Sequence, residues 1–168
     1  TGLIENANQD FFDPSIAVNE FGDVVIGYTC SGPSLSPSAC VSVGETVNGI
    51  TTFEIPLLLQ QGAGHYYRTF SGSRNRWGDY SATVVDPVDP CTFWTFQEFV
   101  AVSAVGDVGP GRSQGGSWGI QVTELTFNNC VGQSRFVDVS PGSFAEEEIY
   151  KIFDAGITRG CATNPLRY

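Results

Sequence analysis

The strongest structural signal in the chain lies at residues 15–29, SIAVNEFGDVVIGYT. Two runs rich in β-branched and aromatic residues, 15–19 and 24–29, flank the turn-forming residues EFGD at 20–23. This pattern predicts an antiparallel hairpin. Further strand-like runs follow at 39–43, 51–59, 80–85, 92–102 and 118–127. The sequence therefore predicts a mainly β fold with antiparallel strands.

A long loop is predicted between the last two strands. Residues 103–117 contain five glycines and one proline. Glycine and proline in this number oppose regular structure, and loops of this length often carry function. We therefore expect residues 103–117 to be flexible.

Composition excludes several classes of function. The net charge is −10, and a single lysine leaves no basic patch for a nucleic-acid backbone. The longest apolar runs are strand-sized, far short of the about 20 residues that cross a bilayer. Acidic side chains are ligands that Ca²⁺ takes outside cells, so calcium is allowed, but no metal site is assigned. No other cofactor is expected.

The amino terminus indicates processing. The chain starts at Thr1 and contains no methionine, so we expect that an initiator residue has been removed from a precursor. A cleaved signal peptide, a cleaved upstream domain and a partial chain would each explain this.

The five cysteines are spaced as in disulfides rather than as in a zinc site. Cys30 and Cys40 flank the turn-rich stretch 31–39, where a bridge would clamp the open end of a hairpin loop. Cys91 begins one strand-like run and Cys130 ends another, so the two meet if those runs pair antiparallel. Cys161 is left over. Bridges indicate an oxidising compartment, and buried thiols in a cytosolic protein are the alternative.

A weak internal repeat relates two segments of the β region. DPSIAV at 13–18 and DYSATV at 79–84 share Asp, Ser and Val at a constant offset of 66. A repeat of this size built from three or four strands is typical of propeller blades. Two unrelated hairpins would be the simpler explanation.

A helix is predicted at residues 144–155. Ser143 and Glu146 form a capping box, and apolar residues recur at helical spacing along one face. Gly156 is placed to end this helix.

The carboxy-terminal segment resembles the first half of an S-layer homology motif. The matching pieces are FVDV at 136–139, FA at 144–145 and GITRG at 156–160. The resemblance implies that residues 131–168 attach an exported protein to the bacterial cell surface, with an envelope polysaccharide as partner. The motif residues are Phe136, Asp138, Val139, Phe144, Ala145, Gly156, Ile157, Thr158 and Gly160.

The β region resembles blades of bacterial secreted propellers of the sialidase-like kind. The matching pieces are DPSIAVN at 13–19, GDVVIG at 22–27, RWGDYS at 76–81, VDPVD at 85–89 and TFW at 92–94. The resemblance implies that residues 1–130 form propeller-like blades. A closed ring needs about four or more blades. Since about two are visible, the propeller is incomplete and we expect further polypeptide as a partner, either missing blades or neighbouring copies.

The densest polar and aromatic cluster is RNRWGDY at 74–80. Its arginines could bind a carboxylate and its tryptophan could stack on a sugar. The alternative is a turn that enters a blade, with Asp79 bonding loop amides and Trp77 packing between blades. The candidate binding residues are Arg74, Arg76, Trp77, Asp79 and Trp94.

Candidate catalytic groups are few. Asp79, Glu98 and Tyr80 supply the residue types that a glycoside hydrolase of the sialidase-like kind uses. We expect Glu98 to cap a strand end in solvent; the alternative is that it faces a central channel. The only histidine, His65, stands near no serine or cysteine motif, so a catalytic triad is not supported.

The leading functional expectation is a secreted or cell-surface structural or adhesive protein without catalysis. Its β part would be displayed, and its carboxy-terminal segment would belong to an envelope anchor. The alternatives are a secreted glycoside hydrolase with its active site largely in missing sequence and an extracellular filament subunit.

Overall fold

The computed structural model describes residues 3–69, 72, 74–128, 146–155, 162–163 and 166–167. The chain divides into two units, Thr1–Thr126 and Phe127–Tyr168. In the described part of the chain, the first unit holds two antiparallel sheets. The described residues of the second unit form one helix and a pair of very short strands.

Sheet 1 contains the predicted hairpin at residues 15–29. Its strand order is β1-β2-β3-β4, with β5 also paired to β3. In the hairpin, Val18 lies opposite Val24 and Ser15 opposite Gly27, which confirms the prediction. The Asn19 side-chain oxygen accepts the backbone amides of residues 21 and 23 at 3.1 and 2.9 Å and thereby fixes the turn. The strands are β1 (Asp10–Val18), β2 (Asp23–Gly32), β3 (Leu35–Val47), β4 (Ile50–Phe53) and β5 (Leu57–Gln60).

The prediction of a single strand at residues 51–59 was wrong. β4 pairs with residues 44–47 of β3, and β5 pairs with residues 39–41 along the same edge. Between them, the Glu54 amide still donates to the Val43 carbonyl at 2.9 Å. Pro56 has no amide hydrogen, so the regular ladder stops there and resumes after it.

The Cys30–Cys40 disulfide is confirmed, with the two Cα atoms 5.8 Å apart. It lies inside a hairpin rather than at the open end of a loop, because β2 runs to Gly32 and β3 begins at Leu35. The predicted loop at 31–39 was therefore wrong; strand pairing leaves only a two-residue turn. Both cysteines are buried beside Tyr28.

The structure describes only one of the two cysteines of the second predicted bridge. Cys91 is disulfide-bonded. Its predicted partner Cys130 lies outside the described residues, as does Cys161. The Cys91–Cys130 pairing stays a prediction.

Sheet 2 confirms the predicted strands in the second half of the β region. It consists of β6 (Ala82–Val85), β7 (Thr92–Val102) and β8 (Ser117–Thr126), in the order β6-β7-β8. The loop at 103–117, which we expected to be flexible, is tied down near its end. Tyr67 and Gly115 exchange two backbone hydrogen bonds of 3.0 and 2.9 Å.

The two sheets pack face to face around a polar centre. The Gln97 side chain is buried, and its amide nitrogen donates to the hydroxyls of Ser15 at 3.0 Å and Thr95 at 2.8 Å. The hydroxyls of Ser15 and Thr83 are 2.8 Å apart. Gly27 leaves the space for this network, because a Cβ there would overlap the Gln97 amide and the Thr95 hydroxyl. Hydrogen bonds therefore compensate the burial of these polar groups.

The described residues show a mainly β fold with antiparallel sheets. No sheet or ring of sheets closes on itself among these residues. The observed architecture of the first unit is thus two open sheets in contact.

The second unit contains the predicted helix. α1 spans Glu146–Asp154, and β9 (Ala162–Thr163) pairs antiparallel with β10 (Leu166–Arg167). On α1, the Lys151 ammonium group is 2.9 Å from the carboxylate of Glu147 and 3.1 Å from that of Glu148. No helix in the described residues is long and apolar enough to cross a membrane. Outside the described residues lie all the predicted motif positions: Phe136, Asp138, Val139, Phe144, Ala145, Gly156, Ile157, Thr158 and Gly160.

Candidate functional site

A small cavity opens where the loop between β5 and β6 crosses β7 at Glu98. Its volume is about 100 Å³. We refer to it as the aromatic pocket, because four aromatic side chains contribute to its wall. Its lining residues are Tyr66, Arg76, Trp77, Gly78, Asp79, Tyr80, Glu98 and Trp118.

Asn75 holds the loop that forms the pocket. Its side-chain oxygen accepts the Arg68 amide at 2.9 Å, and its side-chain nitrogen donates to the Tyr66 carbonyl at 3.4 Å. The Arg76 amide also donates to the Arg68 carbonyl at 2.8 Å. The loop is therefore folded back on itself, which brings residues 66 and 77 together.

Trp77 connects the pocket to sheet 1. Its ring meets Tyr66 edge to face, with centroids 4.9 Å apart and an interplanar angle of 85°. Its indole nitrogen donates to the Thr29 hydroxyl on β2 at 3.1 Å. These contacts fix the orientation of the indole that the pocket presents.

Gly78 brings two carboxyl groups close to the loop. It has a φ of 71°, and a Cβ there would overlap the Asp13 carboxylate. A side chain at this position would therefore be both strained and obstructed. On the other side, the Gly78 amide donates to the Glu98 carboxylate at 3.0 Å.

The expectation that Glu98 lies in solvent was wrong. Its exposed fraction is only 4%, because Glu98 lies inside β7 and the loop at 76–80 folds over it. Burial raises the pKa of Glu98 against the lowering effect of the Gly78 and Tyr80 amides, and the charges of Asp13 and Asp79 raise it further. Burial and the charge of Asp79 likewise raise the pKa of Asp13. The region behind the pocket is thus acidic.

Glu98 should give the protein a measurable pH response. Because its folded-state pKa is raised, it favours folding at low pH, and this contribution is lost as pH rises from about 4.5 through the folded-state value. We expect the stability of Glu98→Gln, relative to the wild type, to increase across that pH window. The loss of a hydrogen-bond acceptor lowers the variant's stability by a pH-independent amount. Urea unfolding at a series of pH values measures the slope, and a flat or falling difference would contradict the argument.

Most of the predicted site residues meet in the aromatic pocket, but two do not. The Arg76 guanidinium binds the Asp79 carboxylate at 3.0 Å, and both line the pocket with Trp77. Trp94 is elsewhere on β7 and donates to the Asp86 carboxylate at 2.9 Å. Arg74 is exposed and does not line the pocket.

Sequence reasoning missed Tyr66 and Trp118. A second cavity, of about 420 Å³, shares both of these aromatic residues with the aromatic pocket. Thr69 and Gln114 also line the second cavity. The Thr69 backbone amide donates to the Gln114 side-chain oxygen at 2.7 Å, and the Gln114 side-chain nitrogen donates to the Thr69 hydroxyl at 3.0 Å. Tyr66 and Trp118 therefore line two neighbouring cavities. The strand alternation of β8 could have placed Trp118 on a sheet face, but no local signal indicated the loop that meets it.

In the described part of the chain, no group of three or more His, Cys, Asp or Glu side chains is arranged to hold a metal ion. No protein-family model matches this chain, and no curated protein or solved structure matches it either.

Proposed function

We propose that this chain is a non-catalytic, secreted or cell-surface adhesive protein that binds carbohydrate in the aromatic pocket and the adjoining cavity. The observation that carries the proposal is the pair Tyr66 and Trp118, which line two cavities of about 100 and 420 Å³. Apolar aromatic surface beside a few convergent polar groups is typical of a small-molecule site. A sugar presents both kinds of surface, C–H groups on its faces and hydroxyls around its edge.

The charges around the pocket favour a neutral sugar over an acidic one. The Arg76 guanidinium is already engaged by Asp79. The Arg68 side chain, at the second cavity, donates to the Gly116 carbonyl at 2.9 Å. Carboxyl groups at positions 13 and 98 add negative charge behind the wall. A sialic acid carboxylate would meet net repulsion here.

The carboxyl groups act in holding the loop rather than in catalysis. A general acid or base must reach the bond that it cleaves. Glu98 is almost fully buried, and its carboxylate accepts the Gly78 amide at 3.0 Å. Asp79 is paired with Arg76 on the same loop. These engagements support a non-catalytic function.

The remaining parts of the proposal rest on resemblance and on the disulfides. We take sheets 1 and 2 as successive propeller-like blades, in line with the sialidase-like segments of the β region. The segment at 131–168 would belong to an envelope anchor of the S-layer homology kind, with an envelope polysaccharide as its partner. The Cys30–Cys40 bond supports an oxidising location such as the bacterial cell surface.

Calorimetric titration with neutral oligosaccharides tests the binding function. We expect chitooligosaccharides and similar neutral glycans to bind better than methyl α-sialoside. Trp118→Ala should weaken binding about tenfold or more, because it removes an aromatic side chain that lines both cavities. Trp94→Phe is the matched control, since Trp94 lines neither cavity, and it should bind like the wild type. Equal binding by Trp118→Ala and wild type would contradict the proposal.

A second candidate, a secreted glycoside hydrolase, is favoured by one observation. Asp79, Tyr80 and Glu98 line the same cavity, and burial raises the pKa of Glu98, as in a carboxyl group that acts as an acid. Turnover of aryl glycosides by the wild type that disappears in Asp79→Asn would replace the adhesive function with this one. We expect no such turnover.

A further inference from the structure

Each sheet of the first unit has one face that carries exposed apolar side chains. On sheet 2, the face directed away from sheet 1 exposes Val84, Ile120 and Val122 to 47%, 40% and 47%. On sheet 1, the face directed away from sheet 2 exposes Ile16 and Val18 to 60% and 54%. Clusters of exposed apolar residues on a sheet face are typical of interaction surfaces. We call these two surfaces the leading face and the trailing face, respectively.

The turns after β1 and β6 show how the two sheets correspond. Asn19 and Asp86 each accept two backbone amides of their own turn through one side-chain oxygen. The backbone amide of each also closes its hairpin, Asn19 onto the Asp23 carbonyl at 3.1 Å and Asp86 onto the Thr92 carbonyl at 2.8 Å. Position 19 is therefore equivalent to position 86. This offset is one residue larger than the offset of 66 in the sequence repeat.

This equivalence shows that the sheets pack by opposite faces. With 19 matched to 86, Ile16 of the trailing face corresponds to Thr83, and Thr83 is buried against sheet 1. Ser15, which packs against sheet 2, corresponds in the same way to Ala82, which is exposed on the leading side. The contact is thus head-to-tail. A head-to-tail contact between two sheets leaves one face free on each sheet. The two free faces are complementary to each other in the same way as the two faces in contact.

We propose that a second copy of this chain stacks its trailing face onto the leading face of the first, in the way that sheet 1 packs on sheet 2. The contact between sheets 1 and 2 supports a second copy as the partner. The face of sheet 2 that is equivalent to the trailing face is already buried against sheet 1 in the same molecule. The net charge of −10 opposes the approach of like copies and is screened by salt. Association should therefore strengthen as the salt concentration rises.

Sedimentation velocity of the full chain at rising concentration and salt tests the proposal. The wild type should form dimers and larger species. Ile16→Glu removes the trailing face and Val122→Glu the leading face, and each variant alone should stay monomeric. An equimolar mixture of the two should form a one-to-one complex, because each variant keeps the face that the other has lost. Val105→Glu is the matched control; this residue is 94% exposed in the loop at 103–117, and the variant should associate like the wild type.

Thermal unfolding confirms that each variant is folded, as expected for substitutions at exposed positions. A wild type that stays monomeric at all concentrations and salt levels would overturn the proposal. Two further results would overturn it as well: a mixture of Ile16→Glu and Val122→Glu that does not associate, or a Val122→Glu variant that dimerises alone. The last result would indicate a symmetric contact rather than a head-to-tail one.

Discussion

Replacing both Cys30 and Cys40 with alanine is expected to lower the free energy of unfolding by about 3 kcal/mol. The bond closes a loop with a sequence separation of 10, so its loss enlarges the unfolded ensemble. Both cysteines are also buried beside Tyr28, so that truncation removes packed atoms as well. Urea unfolding followed by tryptophan fluorescence measures the loss.

Reduction of a Cys91→Ala variant separates the cross-link from the packing. In that variant a reducing agent opens the Cys30–Cys40 bond but leaves both sulfur atoms in place. Most of the loss seen in the alanine double variant should reappear on reduction. Identical unfolding midpoints for the oxidised and reduced forms would show that the bond contributes nothing.

Gly27→Ala is expected to lower the free energy of unfolding by about 1–3 kcal/mol. The new methyl group would overlap the Gln97 amide and the Thr95 hydroxyl, both of which are buried. Movement of Gln97 would break its hydrogen bonds to Ser15 and Thr95, so donors and acceptors would be left without partners between the sheets.

A double-mutant cycle with Gln97→Ala checks this mechanism. In the Gln97→Ala background the overlap with the Gln97 amide is gone and only the overlap with the Thr95 hydroxyl remains, so the cost of Gly27→Ala should be smaller there. Equal costs in both backgrounds would place the damage somewhere other than the contact between residues 27 and 97.

The elements predicted well from the sequence depend on residues close together in the chain. The hairpin at 15–29 follows from a local alternation and a turn, and the Cys30–Cys40 bond follows from a short separation. The pocket residues Arg76, Trp77, Asp79 and Tyr80 were found because they are nearly contiguous.

The errors arise where distant segments meet. Strand alternation gives the side of the sheet on which Glu98 lies, but not that the loop at 76–80 covers it. Trp118 and Tyr66 reach one site only because Tyr67 pairs with Gly115 across two loops. The offset between the two repeated segments was wrong by one residue. Residue identity aligned Ser15 with Ser81, whereas the hydrogen bonds of the turns align Asn19 with Asp86.

The broken outer edge of sheet 1 has a consequence for aggregation. β4 and β5 cover β3 as two strands of four residues each, separated at Pro56. The run at 55–59 is apolar and uncharged, as cross-β segments are, and Ile55 is 85% exposed. Pro56 interrupts that run, so no incoming strand can extend a continuous backbone ladder along it. This edge is therefore protected against amyloid-type elongation, even though its side chains are apolar.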